Sequence, residues 1–87
     1  MYKILIVDDE PDVVSLIKDY LELNGYETLT AYNGEKAMAL ALQQPDLILL
    51  DIRMAPKNGY ETLREIRDMP DRADVPVIML TAMEDKN

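Results

Sequence analysis

Three short apolar runs punctuate the chain: Ile4-Leu5-Ile6-Val7, Leu47-Ile48-Leu49-Leu50 and Val77-Ile78-Met79-Leu80. Each is continuous rather than alternating and is followed by a polar residue, the pattern of a strand buried on both faces of a parallel sheet. Between the first two, a segment starting at Pro11 carries Val13, Leu16, Ile17, Tyr20 and Leu21 at helical spacing, with Gly25 as its stop. This predicts an amphipathic helix with proline in its first turn and glycine beyond its end. Glu27 to Tyr32 alternates weakly, as a second strand would. Asn33-Gly34 then opens a short helix carrying Ala37, Met38, Leu40 and Ala41, which ends before Pro45. A third helix is predicted from about Tyr60 to Arg67, with Leu63 and Ile66 inward and Pro70 marking its end. The order β-α-β-α-β-α-β implies parallel strands joined by right-handed crossovers, hence an α/β layered sheet.

With 87 residues and no repeat, linker or low-complexity tract, residues 1–87 read as a single small domain. Hydrophobic residues at 48% and charged residues at 30% argue for a folded chain rather than a disordered one. Nine Lys plus Arg against 17 Asp plus Glu leave a formal net charge of -8. That field repels phosphate backbones and anionic lipid, so direct binding of nucleic acid or membrane is not expected. Cysteine and histidine are both absent. Disulfides, thiolate or imidazole zinc sites, cysteine nucleophiles and histidine-based acid–base catalysis are thereby excluded, and only oxygen chemistry remains. The opening Met1-Tyr2-Lys3 is followed by only four apolar residues. That run is too short for a signal peptide, and no other approaches membrane-spanning length, so a soluble, cytoplasmic chain is expected.

Oxygen-bearing side chains close all three apolar runs: Asp8-Asp9-Glu10 after Val7, Asp51 after Leu50, and Thr81 after Leu80. In an open parallel sheet, ligands bind outside the carboxyl ends of the strands, where these groups would converge if the strands are neighbours. Asp8, Asp9 and Asp51 together would repel one another, and a hard divalent cation is the natural compensator. A few carboxylates with waters and phosphate oxygens suit Mg²⁺ better than a caged Ca²⁺. Any one of these residues could instead be the cap of a following helix. Three runs ending alike, the first in a doubled acid, favour a site. The only glycines, Gly25, Gly34 and Gly59, cannot build a phosphate-cradling loop, and Ser15 has no nucleophile elbow around it.

Asp8-Asp9 after the first strand, Asp51 closing the third, Gly59 eight residues later and Thr81-Ala82 closing the fourth resemble the receiver domain of bacterial two-component response regulators. The resemblance covers the whole chain, and its most specific stretch is Lys3-Ile4-Leu5-Ile6-Val7-Asp8-Asp9-Glu10. It implies a flavodoxin-like, doubly wound parallel sheet with strand order 2-1-3-4-5. It also implies a phosphoacceptor at Asp51, taking its phosphoryl group from the phosphohistidine of a sensor histidine kinase. Asp8 and Asp9 would hold Mg²⁺ directly or through water, together with Asp51 and the main-chain carbonyl of Arg53. Thr81 would bond a phosphate oxygen after transfer, and small Ala82 would keep the pocket open. Such a module signals and is not an enzyme.

Two departures from the family pattern stand out. Ala55 occupies the place where the family usually has proline, and Pro56 follows it. The chain also stops at Asn87, before the fourth helix, fifth strand and fifth helix that the family carries. The expectation is therefore an incomplete fold of four strands in order 2-1-3-4 with three helices. The lysine that pairs with the phosphate would be absent, since Lys57 and Lys86 lie in other elements. A rival reading is a phosphorylation-incompetent fragment whose main behaviour is self-association, as a homodimer through the strand-four edge or by exchange of elements. An Mg²⁺-dependent phosphohydrolase ranks last, because Arg53 stands where such enzymes want a second acid.

Overall fold

A computed structural model of the chain describes residues 1–80. The first apolar run forms β1 (Lys3–Val7), which lies between β2 (Glu27–Ala31) and β3 (Leu47–Asp51), parallel to both. The last run forms β4 (Val77–Leu80), paired in parallel with β3, so the sheet order is β2-β1-β3-β4. Three helices make the crossovers: α1 (Pro11–Leu23), α2 (Gly34–Ala41) and α3 (Gly59–Arg67). The α/β architecture expected from the apolar runs is the one that forms. Thr81 and Ala82 lie outside the described residues.

Continuous apolar strands are needed because both faces of the sheet are covered. Leu5, Val7, Ile48 and Leu50 point to one side, where Ala37 of α2 and Ile66 of α3 complete a sealed core with Ala31, Met54 and Val75. Ile4 and Ile6 point to the other side, where Val14 of α1 packs on them and Ile17, Leu21, Leu47 and Leu49 are only partly buried. Alternation is therefore present within each run, hidden because both alternating sets are apolar.

Helix α1 corrects one expectation. The spacing of Val13, Leu16, Ile17, Tyr20 and Leu21 suggests a single inward stripe, yet Leu16 and Tyr20 are 73% and 67% exposed while Val14 is buried. The inward line is Val14, Ile17 and Leu21, separated by three and four residues; Leu16 and Tyr20 form a second line one step around the helix. Two apolar lines fit the same spacing rule, and only the narrow sheet surface opposite α1 selects between them.

The helix ends follow local chemistry. Gly25, at φ 88, turns the chain out of α1, and its N–H donates to Glu22 O at 3.1 Å while the Tyr26 N–H donates to Leu21 O at 3.1 Å. Asn33 caps α2 through its side-chain oxygen, which accepts from the Lys36 N–H at 2.7 Å. At α3 a reciprocal box forms: Asn58 accepts from the Glu61 N–H and Glu61 accepts from the Asn58 N–H, each at 2.9 Å.

These assignments separate by mutation. Val14→Ala removes buried methyls and is expected to lower stability by about 2 kcal/mol. Leu16→Ala and Tyr20→Ala should stay within about 0.5 kcal/mol of the parent. Urea denaturation with a common m-value measures all three, and an equal loss in the three variants would contradict the placement of α1.

Candidate functional site

Val7 of β1 pairs with Leu50 of β3, so the residues that follow, Asp8 and Asp51, reach the same end of the sheet together. The Asp8 N–H donates to Ala31 O at 3.1 Å, which carries the β1–β2 ladder one residue beyond the strand. Asp8 and Asp51 are each only 7% exposed, whereas the neighbouring Asp9 is open to solvent. One carboxylate oxygen from each of the three lies within 4.8 Å of the others. Two backbone amides orient the buried pair: the Glu10 N–H donates to Asp8 Oδ1 at 3.0 Å and the Arg53 N–H to Asp51 Oδ1 at 3.2 Å.

The turn after Asp51 is shaped by close backbone approach. The Gly59 N–H donates to Ile52 O at 2.9 Å, and a Cβ at Gly59 would overlap the Asp51 carbonyl oxygen and stand 2.8 Å from Ile52 Cα. Only glycine lets α3 begin this near to the end of β3. Met54, buried in the sealed core, pins the middle of the turn, and the Ala55–Pro56 peptide within it is cis. On the other flank β4 reaches the same level: Leu80 pairs with Asp51, and the Ile52 N–H donates to Leu80 O at 3.1 Å.

Burial pushes the Asp51 carboxyl above its ordinary value, opposed by the Arg53 N–H and reinforced by the charges of Asp8 and Asp9 and by a hydrogen bond with Asp8. Two nearly buried acids and one exposed acid lie together, and their mutual repulsion favours a compensating cation. Three carboxylate oxygens within 4.8 Å of one another form an all-oxygen donor set, the kind that hard divalent cations take.

The structure thus brings together Asp8, Asp9 and Asp51, the three acids singled out from sequence. Arg53 supplies its backbone N–H to Asp51. Thr81, Ala82 and Lys86 fall outside the described residues. Lys57 is ion-paired with Glu65 of α3. Two contributors were not read as such from sequence: Met54, a large apolar residue in the loop between β3 and α3, and Gly59, whose position was noted without its contact to Asp51.

Residues 4–87 match the response regulator receiver domain. The chain belongs to that family. It is 48% identical over 82 residues to the transcriptional regulatory protein CpxR of Klebsiella pneumoniae, a match covering 94% of this chain and 34% of that one. It thus spans about a third of the length of the curated relatives it matches. Among solved structures, the N-terminal domain of a response regulator receiver protein from Methanoculleus marisnigri superposes with a TM-score of 0.90 at 46% identity. That superposition covers 99% of this chain and 71% of the other. The response regulator TrrA from Thermotoga maritima, solved in complex with Mg(2+)-BeF, superposes with a TM-score of 0.85 at 43% identity, covering 93% of this chain and 70% of that one. A receiver domain is a signalling module. No helix among the described residues is long and apolar enough to cross a membrane.

The raised Asp51 carboxyl carries a stability consequence. An acid whose folded-state pKa lies above its unfolded value makes its ionised form a burden on the fold. That burden is full above the folded pKa and gone below the unfolded value of roughly 3.9. Asp51→Asn is therefore expected to melt at a higher temperature than the parent at pH 7 without divalent cations, the gain shrinking as pH falls through the acidic range. Thermal melts in a chelating buffer at several pH values measure this, and a lower melting temperature for the variant at pH 7 would contradict it.

Proposed function

We propose that this receiver domain accepts a phosphoryl group on Asp51 from the phosphohistidine of a sensor histidine kinase, with Mg²⁺ as cofactor. The observation that carries this reading is the set of three carboxylates within 4.8 Å, two of them nearly buried, at the carboxyl ends of neighbouring strands. Such a set is costly without a cation, which is the physical support for Mg²⁺ held by Asp8, Asp9, Asp51 and the Arg53 main-chain carbonyl. The Mg(2+)-BeF complex of the TrrA relative supports the same choice. When bound, the cation offsets negative charge on the phosphoryl oxygens.

The chain's own residues do the rest. A carboxylate oxygen of Asp51 attacks phosphorus, the bond from phosphorus to the donor nitrogen breaks, and the product is an acyl phosphate. The Arg53 N–H keeps the Asp51 carboxylate oriented, and the buried setting leaves few waters to compete with the donor. No general base is required, because a carboxylate attacks without a proton to lose. Thr81 bonds a phosphoryl oxygen of the product and Ala82 leaves space for it. In this reading the chain works in the cytoplasm, is not an enzyme in its own right, and contacts neither nucleic acid nor membrane directly, in keeping with its net charge of -8.

Intact mass after incubation with acetyl phosphate tests the assignment. One phosphoryl group is expected on the parent with Mg²⁺, little without it, and none on Asp51→Asn. Asp9→Ala should weaken Mg²⁺ binding in a calorimetric titration by about tenfold or more. Label persisting in Asp51→Asn, or equal Mg²⁺ affinity in Asp9→Ala, would overturn the reading.

A second reading is favoured by the outer edge of the sheet. Among the described residues β4 pairs with β3 alone, and its Ile78 is 51% exposed. Unpaired apolar edges are templates for another strand, and Pro76 blunts only the start of this one. We infer that the chain self-associates as a homodimer, by joining two β4 edges or by exchanging elements. Sedimentation equilibrium should show a dimer that dissociates on dilution and is lost in Ile78→Lys; a monomer at every concentration would refute it.

A further inference from the structure

Arg67 closes the last turn of α3 and reaches across the connection to β4. Its Nη1 donates to two main-chain carbonyls, Ala73 at 3.0 Å and Val75 at 2.6 Å. From the other flank Arg72 Nη1 donates to the Pro45 carbonyl at 3.3 Å, just ahead of β3. Two guanidinium groups thus hold the segment that delivers β4 to the sheet. Pro70 and Pro76 carry no N–H and Asp71 sits at φ 67. Beside the buried Val75 and the turn bonds of the Arg72 and Val75 N–H groups to Met69 O and Arg72 O, the segment is held by these guanidinium contacts.

The strand that follows needs such restraint. β4 is only four residues long, is the outermost strand among the described residues, and contains no fully buried side chain. Strand register is held firmly where one face is buried and weakly where it is not, and a slip of one residue turns every side chain to the opposite face. The register seen here runs from Ile48↔Val77 to Asp51↔Leu80. It brings Leu80 O to the Ile52 N–H at 3.1 Å, on the residue next to Asp51. Thr81 follows Leu80 in the sequence.

We propose that Arg67 is a positioning residue for the Asp51 site. By holding the carbonyls of Ala73 and Val75, its guanidinium sets the register in which β4 meets β3. Through the Leu80–Ile52 hydrogen bond it steadies the backbone on which the Asp51 carboxylate stands. Arg72 resists the same slip from the Pro45 side. This rests on the reading of Asp51 as phosphoacceptor, but the register itself does not. Arg67 touches none of the three acids, whose mutual placement comes from the β1–β3 pairing. Its loss should therefore separate two properties that general loosening would damage together: phosphoryl acceptance falls and Mg²⁺ binding stays.

The test compares the full chain with Arg67→Met, which keeps much of the packing and removes every donor, and Arg67→Lys, which retains a charge without the planar fork. Hydrogen exchange is followed at the amides of Ile48 and Ile52, which bond Pro76 O and Leu80 O. Mg²⁺ titration and intact mass after acetyl phosphate accompany it. In Arg67→Met both amides should exchange about tenfold faster, the effect of losing hydrogen bonds from a charged donor. Acceptance should fall by a similar factor with Mg²⁺ affinity within about twofold of the parent, and Arg67→Lys should lie between. Parent-like protection at Ile48 and Ile52 in Arg67→Met would overturn the proposal, as would a loss of Mg²⁺ affinity in step with acceptance. Should Arg67→Met fail to fold, parent-like exchange and acceptance in Arg67→Lys would overturn it equally. A parent chain that takes no phosphoryl group would refute the phosphoacceptor reading and this role together, whereas accelerated exchange in Arg67→Met would still establish the register clamp.

Discussion

Val7 faces Leu50 across two strands that run the same way, and from that pairing follows the crowding of Asp8 and Asp51 at one end of the sheet. Had β1 and β3 been antiparallel, the same two residues would lie at opposite ends and no acid cluster would exist. Parallel pairing demands a crossover between the strands, and that crossover has to return the chain over a covered face. The site and the layered architecture are thus consequences of one topological choice. The four central apolar residues of β1 are buried, which makes the pairing firm enough to hold like charges together. Apolar burial at about 25 cal/mol per Å² over several strand residues outweighs the repulsion of partly screened carboxylates.

The two faces contribute unequally. On the α2/α3 side Leu5, Val7, Ile48, Leu50 and Ile66 are fully enclosed. On the α1 side enclosure is complete only over β1, at Ile4, Ile6 and Val14, and it fades through the half-buried Leu47 and Leu49 of β3 to the exposed Ile78 of β4. The acids therefore sit on the firm part of the sheet, while β4 joins it through the ladder to β3 and through the guanidinium contacts at its start.

Much of this was legible in the residues. The three apolar runs became strands within one residue of their predicted ends, because short continuous stretches of β-branched residues and leucine, broken at both ends by polar residues or proline, admit few other structures in a short chain. Asp8, Asp9 and Asp51 could be grouped because the rule for ligand sites in parallel sheets needs only the strand ends, not the details of packing. What escaped was everything set by close approach. Leu16 and Tyr20 satisfy helical spacing as well as Ile17 and Leu21 do, and only the tertiary surface decides which line faces inward. The guanidinium bonds of Arg67 and Arg72 to carbonyls six to 27 residues away leave no trace in composition or period.

The turn after Asp51 carries one departure from the family pattern. The family resemblance puts proline four residues after Asp51, whereas here Ala55 takes that place and Pro56 follows. A loop held by a single stiff residue would change shape under such a shift. This one is held at both ends and in the middle instead. Arg53 is tied to the Asp51 carboxylate at its start, Met54 is sunk in the core, and the Gly59 N–H is bonded to Ile52 O at its close. The reciprocal cap of Asn58 and Glu61 then fixes the first turn of α3 directly behind it. Between those points Lys57 is ion-paired with Glu65 and Asn58 sits in the reciprocal cap, so the stretch from Ala55 to Asn58 is anchored to α3 as well as to β3. The constraint that matters is the missing side chain at Gly59, since any Cβ there would meet the Asp51 carbonyl and drive α3 away from the end of β3.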